Sequence, residues 1–208
     1  MIVVLYGASG MIGSRILKEL LHRGHVVTAV VRNPEKISVV GAYTVMGDVI
    51  DPASVASTAK GADAAISAYA PPPDDPNMLW QAIRSLLAGL HIGGVHRLIV
   101  VGGAGSLEAS PGVQLIDTPE FPAAWKPIAL AHRDVLPILK GSNLAWSYLS
   151  PAASIYPGER TGTFRLGDTR LVTDAHGQSR ISAEDYAVAL VDELENPRHL
   201  RRQFTLGY

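Results

Sequence analysis

The sequence contains no cysteine, which excludes disulfides, thiolate nucleophiles and cysteine-ligated zinc. It also lacks an excess of either charge. The formal net charge is −1 and charged residues make up 18%, so nothing points to a nucleic-acid surface or a polybasic membrane patch. No apolar stretch approaches the ~20 residues needed to span a bilayer. The run Ile2 to Leu5 is only strand-length and has no basic leader, so no signal peptide is expected. His22, His25, His91 and His96 do not have the spacing of a helical metal pair, and no metal site is expected. No internal repeat or long linker divides the 208 residues, a length suited to a single α/β domain over 1–208. With 47% hydrophobic residues the chain reads as globular. The cytoplasm is its expected location, as monomer or homodimer.

The first half alternates short β-branched runs with helical stretches, the pattern of a parallel sheet flanked by helices. Strands are expected at Ile2 to Tyr6, Val26 to Val31, Tyr43 to Met46, Ala62 to Ala68, Arg97 to Val101 and Leu144 to Leu149. Between them, Met11 to His22 shows helical spacing through Ile12, Ile16, Leu17, Leu20 and Leu21, with Gly24 placed to cap it. Asp51-Pro52 starts a second helix that Gly61 ends, and Asn77 to Leu90 a third. Pro71 to Pro76 must be a surface loop. After Ser106 an irregular stretch runs to Ala124, in the manner of a lid or substrate loop. The helix from Pro127 to Lys140 should kink or lose regularity at Pro137. Residues 151–208 read as a small substrate-side region appended to a core of about 150 residues. Its short strand candidates are Thr163 to Leu166, Arg170 to Val172 and Gln203 to Leu206, with a helix at Ala183 to Leu194.

A glycine loop, Gly7-Ala8-Ser9-Gly10-Met11-Ile12-Gly13, follows the first strand directly and opens the first helix. Strand, glycines and amphipathic helix together make a dinucleotide site, and the fold class is α/β with a doubly wound parallel sheet of Rossmann type. Gly7 permits the turn, Gly10 lets a pyrophosphate approach, and Gly13 lets the helix pack on the strand. The helix N-terminus offers unpaired N–H groups and partial positive charge. The spacing is GxxGxxG rather than GxGxxG. About 20 residues beyond the glycines, where NAD binders place an acid for the ribose 2′-hydroxyl, stands Arg32. A guanidinium pairs with a 2′-phosphate bidentately, so NADP(H) is expected over NAD(H), which remains possible. Asn33 and Lys36 are nearby helpers.

GASGMIG, VRNP, GDVIDP, VGGAGSL, SPAASIYPGERTG and ISAEDYA, in this order, resemble the atypical short-chain dehydrogenase/reductases over essentially the whole chain. Within them the likeness is to the NADH-flavin reductase group, related to biliverdin reductase B and to NmrA-like proteins. The resemblance implies that Asp48 and Val49 border the adenine, and that Ser67 and Ala68 line the ribose and pyrophosphate. It implies that Gly102 and Gly103 form the fifth-strand exit and that Pro151, Ala152 and Ala153 lie beside the nicotinamide. The chain departs from conventional relatives in lacking their Tyr-x-x-x-Lys pair, in which lysine lowers the tyrosine pKa for proton exchange with substrate. Lys126 and Leu130 stand in those places. Tyr156 and Arg160 have the spacing, but with Pro157 and Gly158 between them they cannot form a helical pair.

These features favour an NADPH-dependent reductase of a flavin, quinone or similar small-molecule acceptor, since such acceptors take hydride directly. The alternatives are a non-catalytic NADP(H) sensor of NmrA-like type and a sugar-nucleotide epimerase or dehydratase. Ser106 is the candidate hydroxyl at the fifth-strand exit, with a role as a turn serine the competing expectation. His132 reads as a structural or exposed histidine. Trp125 and Tyr156 offer aromatic faces to an acceptor pocket, or pack the lid. In ISAEDYA, Ser182 caps a helix and Asp185 and Tyr186 pack it.

Overall fold

The computed structural model describes residues 1–36 and 39–208, Lys36 through its backbone alone. The chain begins with Ile2–Tyr6 (β1), Met11–His22 (α1), Val26–Val31 (β2), Tyr43–Met46 (β3) and Pro52–Ala59 (α2). Ala64–Ser67 (β4), Met78–Gly93 (α3) and Arg97–Val101 (β5) follow. Next come Glu108–Ser110 (β6), Val113–Gln114 (β7), Lys126–Lys140 (α4), Ala145–Ser150 (β8) and Ser154–Tyr156 (β9). Arg165–Gly167 (β10), Arg180–Ser182 (β11), Ala183–Glu195 (α5) and Arg202–Gly207 (β12) complete the order.

One sheet of eight strands runs β10-β12-β8-β5-β4-β1-β2-β3. Its pairs are parallel except β10 with β12. The continuous apolar run of β1 has a simple cause: Val3, Val4 and Leu5 are fully buried, alternating between the two faces of the sheet. Ile16, Leu17 and Leu20 of α1 pack on one face beside α5, and α2, α3 and α4 cover the other. Each such aliphatic side chain contributes about 1.5–3 kcal/mol by leaving water. The strand order reverses between β1 and β4, and this switch point opens the crevice in which sheets of this type bind ligands.

Local signals act as expected. The Asp51 carboxylate accepts from the Ala53 N–H at 3.0 Å, with Pro52 in the first turn of α2. The Gly24 N–H closes α1 onto the Leu21 carbonyl at 3.0 Å.

Two expectations are corrected, and a third holds. Residues 151–208 are not appended to the sheet: β12 pairs with β8 inside it, and α5 packs on α1. Arg23 of α1 reaches Asp192 at 2.7 Å and Glu195 at 2.8 Å, and Arg15 reaches Glu184 at 2.9 Å. The stretch before Ala124 contains the β6–β7 hairpin, and Arg170 makes a single bridge to Glu108 instead of starting a strand. As expected, the helix α4 runs to Lys140 with Pro137 inside it. Proline removes one N–H there, and the buried Val135, Leu136 and Leu139 hold the surrounding turns to the sheet.

Candidate functional site

The glycine loop is built by contact. Gly7 has φ +81°, and a Cβ on it would overlap the Ala68 carbonyl and lie 2.8 Å from the Tyr69 nitrogen. A Cβ on Gly13 would overlap the Gly7 carbonyl oxygen, so α1 sits as close to the turn as two backbones allow. At Gly10 the nearest atom to such a Cβ is 3.4 Å away, and its N–H donates to the Gly7 carbonyl at 3.1 Å. Gly10 is also the cap of α1, with no side-chain cap and no acid in the first turn. Neither a cap side chain nor an acid in the first turn therefore offsets the partial positive charge of the helix start.

A cleft of about 230 Å³ opens beside this loop, at the switch point. Its walls include Gly7, Ser9, Gly10, Arg32, Asp48, Val49 and Ala68 from the sequence expectation, with Tyr69, Ile50 and Met78 added. Arg32 is exposed at the end of β2 and makes no ion pair or hydrogen bond with other described residues. Asn33 is engaged locally, accepting from the Glu35 N–H at 3.0 Å; the Lys36 side chain lies outside the described residues. Asp48 is both a turn residue and a cleft wall. Its carboxylate accepts from the Ile50 N–H at 3.0 Å, and its own N–H donates to Ser54 Oγ at 2.9 Å. Tyr69 was missed because strand four was read only to Ala68; the rule that ligands gather at C-terminal strand ends could have found it.

The other predicted residues lie outside this lining. Ala8, Met11, Ile12 and Gly13 form the back of the loop and the first turn of α1, and Ser67 is buried at the end of β4. Gly102 and Gly103 leave β5, and Pro151, Ala152 and Ala153 leave β8. A Cβ on Gly102 would overlap the Tyr148 ring. The Tyr148 hydroxyl accepts from the Gly103 N–H at 3.1 Å and donates to the His132 carbonyl at 2.9 Å. Ser106 is only 7% exposed, and its oxygen accepts from Gln203 Nε2 at 2.8 Å. The same amide donates to Ser150 at 2.9 Å, so Ser106 ties the β5 exit to β12. Trp125 is 64% exposed and Tyr156 39%; neither ring enters the cleft lining.

The profile of a family described as NAD(P)H-binding matches residues 7–197. The chain belongs to this NAD(P)H-binding family. It is similar to a solved protein of Burkholderia pseudomallei provisionally named as exported, with 47% identity, a TM-score of 0.92 and all of both chains covered. A Bacteroides thetaiotaomicron protein provisionally named an epimerase is 42% identical, with a TM-score of 0.93, over 100% of this chain and 96% of that one. A Streptococcus pneumoniae protein provisionally named an NADH-flavin reductase is 35% identical, with a TM-score of 0.91, over 100% and 99%. No helix among the described residues is long and apolar enough to cross a membrane.

The loop from Gly7 to Gly13 suits a nicotinamide cofactor of the family's kind in shape and charge: Gly10 leaves space where a side chain would stand, and the uncapped start of α1 suits a pyrophosphate. The helix before β8 carries no tyrosine. His132, on that helix, faces β8 as expected, with Nδ1 at 3.3 Å from the Tyr148 hydroxyl. It keeps some accessible surface, yet burial of its ring pushes its pKa down to about 4. It is thus a neutral packing group at pH 7. Burial likewise pushes the Tyr148 phenol far up, against the pull of the Gly103 N–H, so it stays protonated.

Proposed function

We propose that the protein is an NADPH-preferring oxidoreductase that reduces a flavin, quinone or similar conjugated acceptor. The observation that carries the cofactor preference is Arg32, a guanidinium without a described partner in the wall of the cleft. A carboxylate at this strand end would repel a 2′-phosphate; a guanidinium attracts it and pairs with it in two places.

The loop from Gly7 to Gly13 would hold the pyrophosphate, and Asp48 and Val49 would border the adenine. Ser67, Ala68, Gly102, Gly103 and the segment from Pro151 to Ala153, all at C-terminal strand ends, would lead toward the nicotinamide. The bound cofactor supplies the hydride. The protein's task is then to orient a flat acceptor, because solvent can protonate a reduced flavin or quinone. The tyrosine-free helix α4 and the neutral His132 agree with chemistry that needs no protein acid. The exposed rings of Trp125 and Tyr156 are candidates for the acceptor side. Ser106 is the weaker candidate for a contact to acceptor, since Gln203 already holds its oxygen. The name of the pneumococcal relative supports this reading. Epimerase chemistry, suggested by the name of the Bacteroides relative, needs a proton-transfer group that α4 does not offer in the tyrosine-lysine form.

The test is NADPH oxidation followed by absorbance with FMN, riboflavin and a panel of small quinones, beside NADH controls. Saturable oxidation that prefers NADPH is the expected result. Tight NADPH binding without turnover of any acceptor would overturn the reductase reading in favour of a non-catalytic sensor.

A further inference from the structure

Among the polar side chains on the wall of the cleft, three make no hydrogen bond or ion pair with other described residues: Ser9, Arg32 and Tyr69. Elsewhere on the same wall the polar side chain of Asp48 is engaged. Tyr69 is held firmly in place. Its backbone nitrogen abuts Gly7, and its ring packs on the cluster that includes Val49 and Leu79. Its hydroxyl is therefore carried on a fixed backbone and a packed ring, with no acceptor for it among the described residues. Burial pushes the phenol pKa up; Arg32 pulls against this, and Asp48 and Asp75 add to the rise. The group is thus a neutral hydroxyl donor at any physiological pH.

A hydroxyl, a guanidinium and a phenol that share one cleft without partners among the described residues suit a compact dianion with several acceptor oxygens. We propose that Tyr69 is a specificity-determining residue that donates, with Arg32 and Ser9, to the 2′-phosphate monoester of the cofactor. This rests on the NADPH reading above, but it assigns discrimination to a residue on the opposite wall, after β4. Arg32 supplies charge from an exposed strand end, where water screens it. Tyr69 supplies a directional donor from a half-buried position, where a hydrogen bond to a charged group is stronger.

The experiment is isothermal titration of the full chain with 2′,5′-ADP, 5′-AMP and inorganic phosphate, in wild type, Tyr69→Phe and Arg32→Ala. The phenylalanine variant keeps the packed ring and removes only the hydroxyl. The expected result is a selective loss: the preference for 2′,5′-ADP over 5′-AMP falls about ten- to a hundredfold in Tyr69→Phe, as for loss of one charge-assisted hydrogen bond. Inorganic phosphate is expected to compete with 2′,5′-ADP less well in that variant than in wild type. If Arg32→Ala abolishes the preference while Tyr69→Phe leaves it intact, Tyr69 is not the determinant, although the NADPH reading stands. If wild type itself shows no preference for 2′,5′-ADP, both fall together. Equal weakening of both nucleotides in Tyr69→Phe would mark the phenol as a wall for the base, and would also overturn the proposal.

Discussion

The two halves of the sheet treat their polar groups in opposite ways. Around β1, β2 and β4, Arg32, Ser9 and Tyr69 line a cleft without described protein partners. Around β5, β8 and β12 the polar side chains are knotted together. Gln203 joins Ser106 to Ser150, and Tyr148 joins Gly103 to His132. The buried Asp185 accepts from Thr161, the Gly162 N–H and Tyr208 at 2.6 to 2.8 Å. Side chains left without a partner there, such as Trp146 and Thr205, are sealed in the core. An unpaired donor on an open wall is a place kept for a ligand, whereas the same group in a closed network maintains shape.

The strongest way to break this comparison is to cut a network in the second half and look for an effect on the first. Glu193 is the clearest choice. It is buried and accepts from Arg97, Ser147, His199 and two backbone N–H groups. Burial pushes its pKa up, but these donors outweigh burial and hold it below the usual value. Glu193→Ala leaves the Arg97 cation unpaired and should cost about 3–5 kcal/mol in urea unfolding. The folded fraction should still bind NADPH with wild-type affinity. A smaller loss is expected from Gly13→Ala, whose new methyl must displace α1 from the Gly7 carbonyl. About 1–3 kcal/mol of stability should go, with NADPH affinity falling in the same protein by fluorescence titration. Arg32→Asp should leave unfolding unchanged and lower the NADPH/NADH preference by about 2 kcal/mol, read from the ratio of dissociation constants. An unchanged ratio would remove Arg32 from the cofactor assignment.

Acid titration gives the finest test, because two buried groups act in successive windows. The folded pKa of His132 is about 4 against an ordinary 6.5. Between those values the unfolded chain binds a proton that the folded chain refuses, so stability falls as pH drops from 6.5 to 4. The hydrogen bonds from Arg160 are the chief cause that holds Glu19 at about 2 against 4.5; burial opposes them and Arg23 assists. Its contribution is complete above 4.5 and fades between 4.5 and 2. Melting temperatures across this range should lose the upper slope in His132→Asn and the lower slope in Glu19→Gln.

The first half was far more legible in the sequence than the second. Its strands carry continuous apolar runs and its helices carry periodic stripes and caps, so β1 to β5 and the glycine loop could be placed from local signals alone. The short strands β6, β7, β9, β10 and β11 hold two or three residues each, too few for any periodicity. The strands β9, β10 and β11 exist because distant segments pair, β9 with β11 and β10 with β12, while β6 and β7 form a short hairpin whose Glu108 N–H donates to the Thr169 carbonyl at 2.8 Å. The same is true of side chains. Arg32 could be found by counting from the glycines, but the link from Gln203 to Ser106 spans 97 residues and leaves no trace in spacing. From sequence alone Ser106 is a hydroxyl at a strand exit; the fold shows that Gln203 already holds it.

The pairing of α1 with α5 has a consequence for how this protein is made. The glycine loop leaves the ribosome long before α5, and the face of α1 beside it stays bare until α5 arrives. Arg15 waits 169 residues for Glu184, and Arg23 as many for Asp192. A nascent chain can display the nucleotide signature long before it can grip a nucleotide, and a chain released early exposes Ile16, Leu17 and Leu20 to whatever chaperone or protease is nearest.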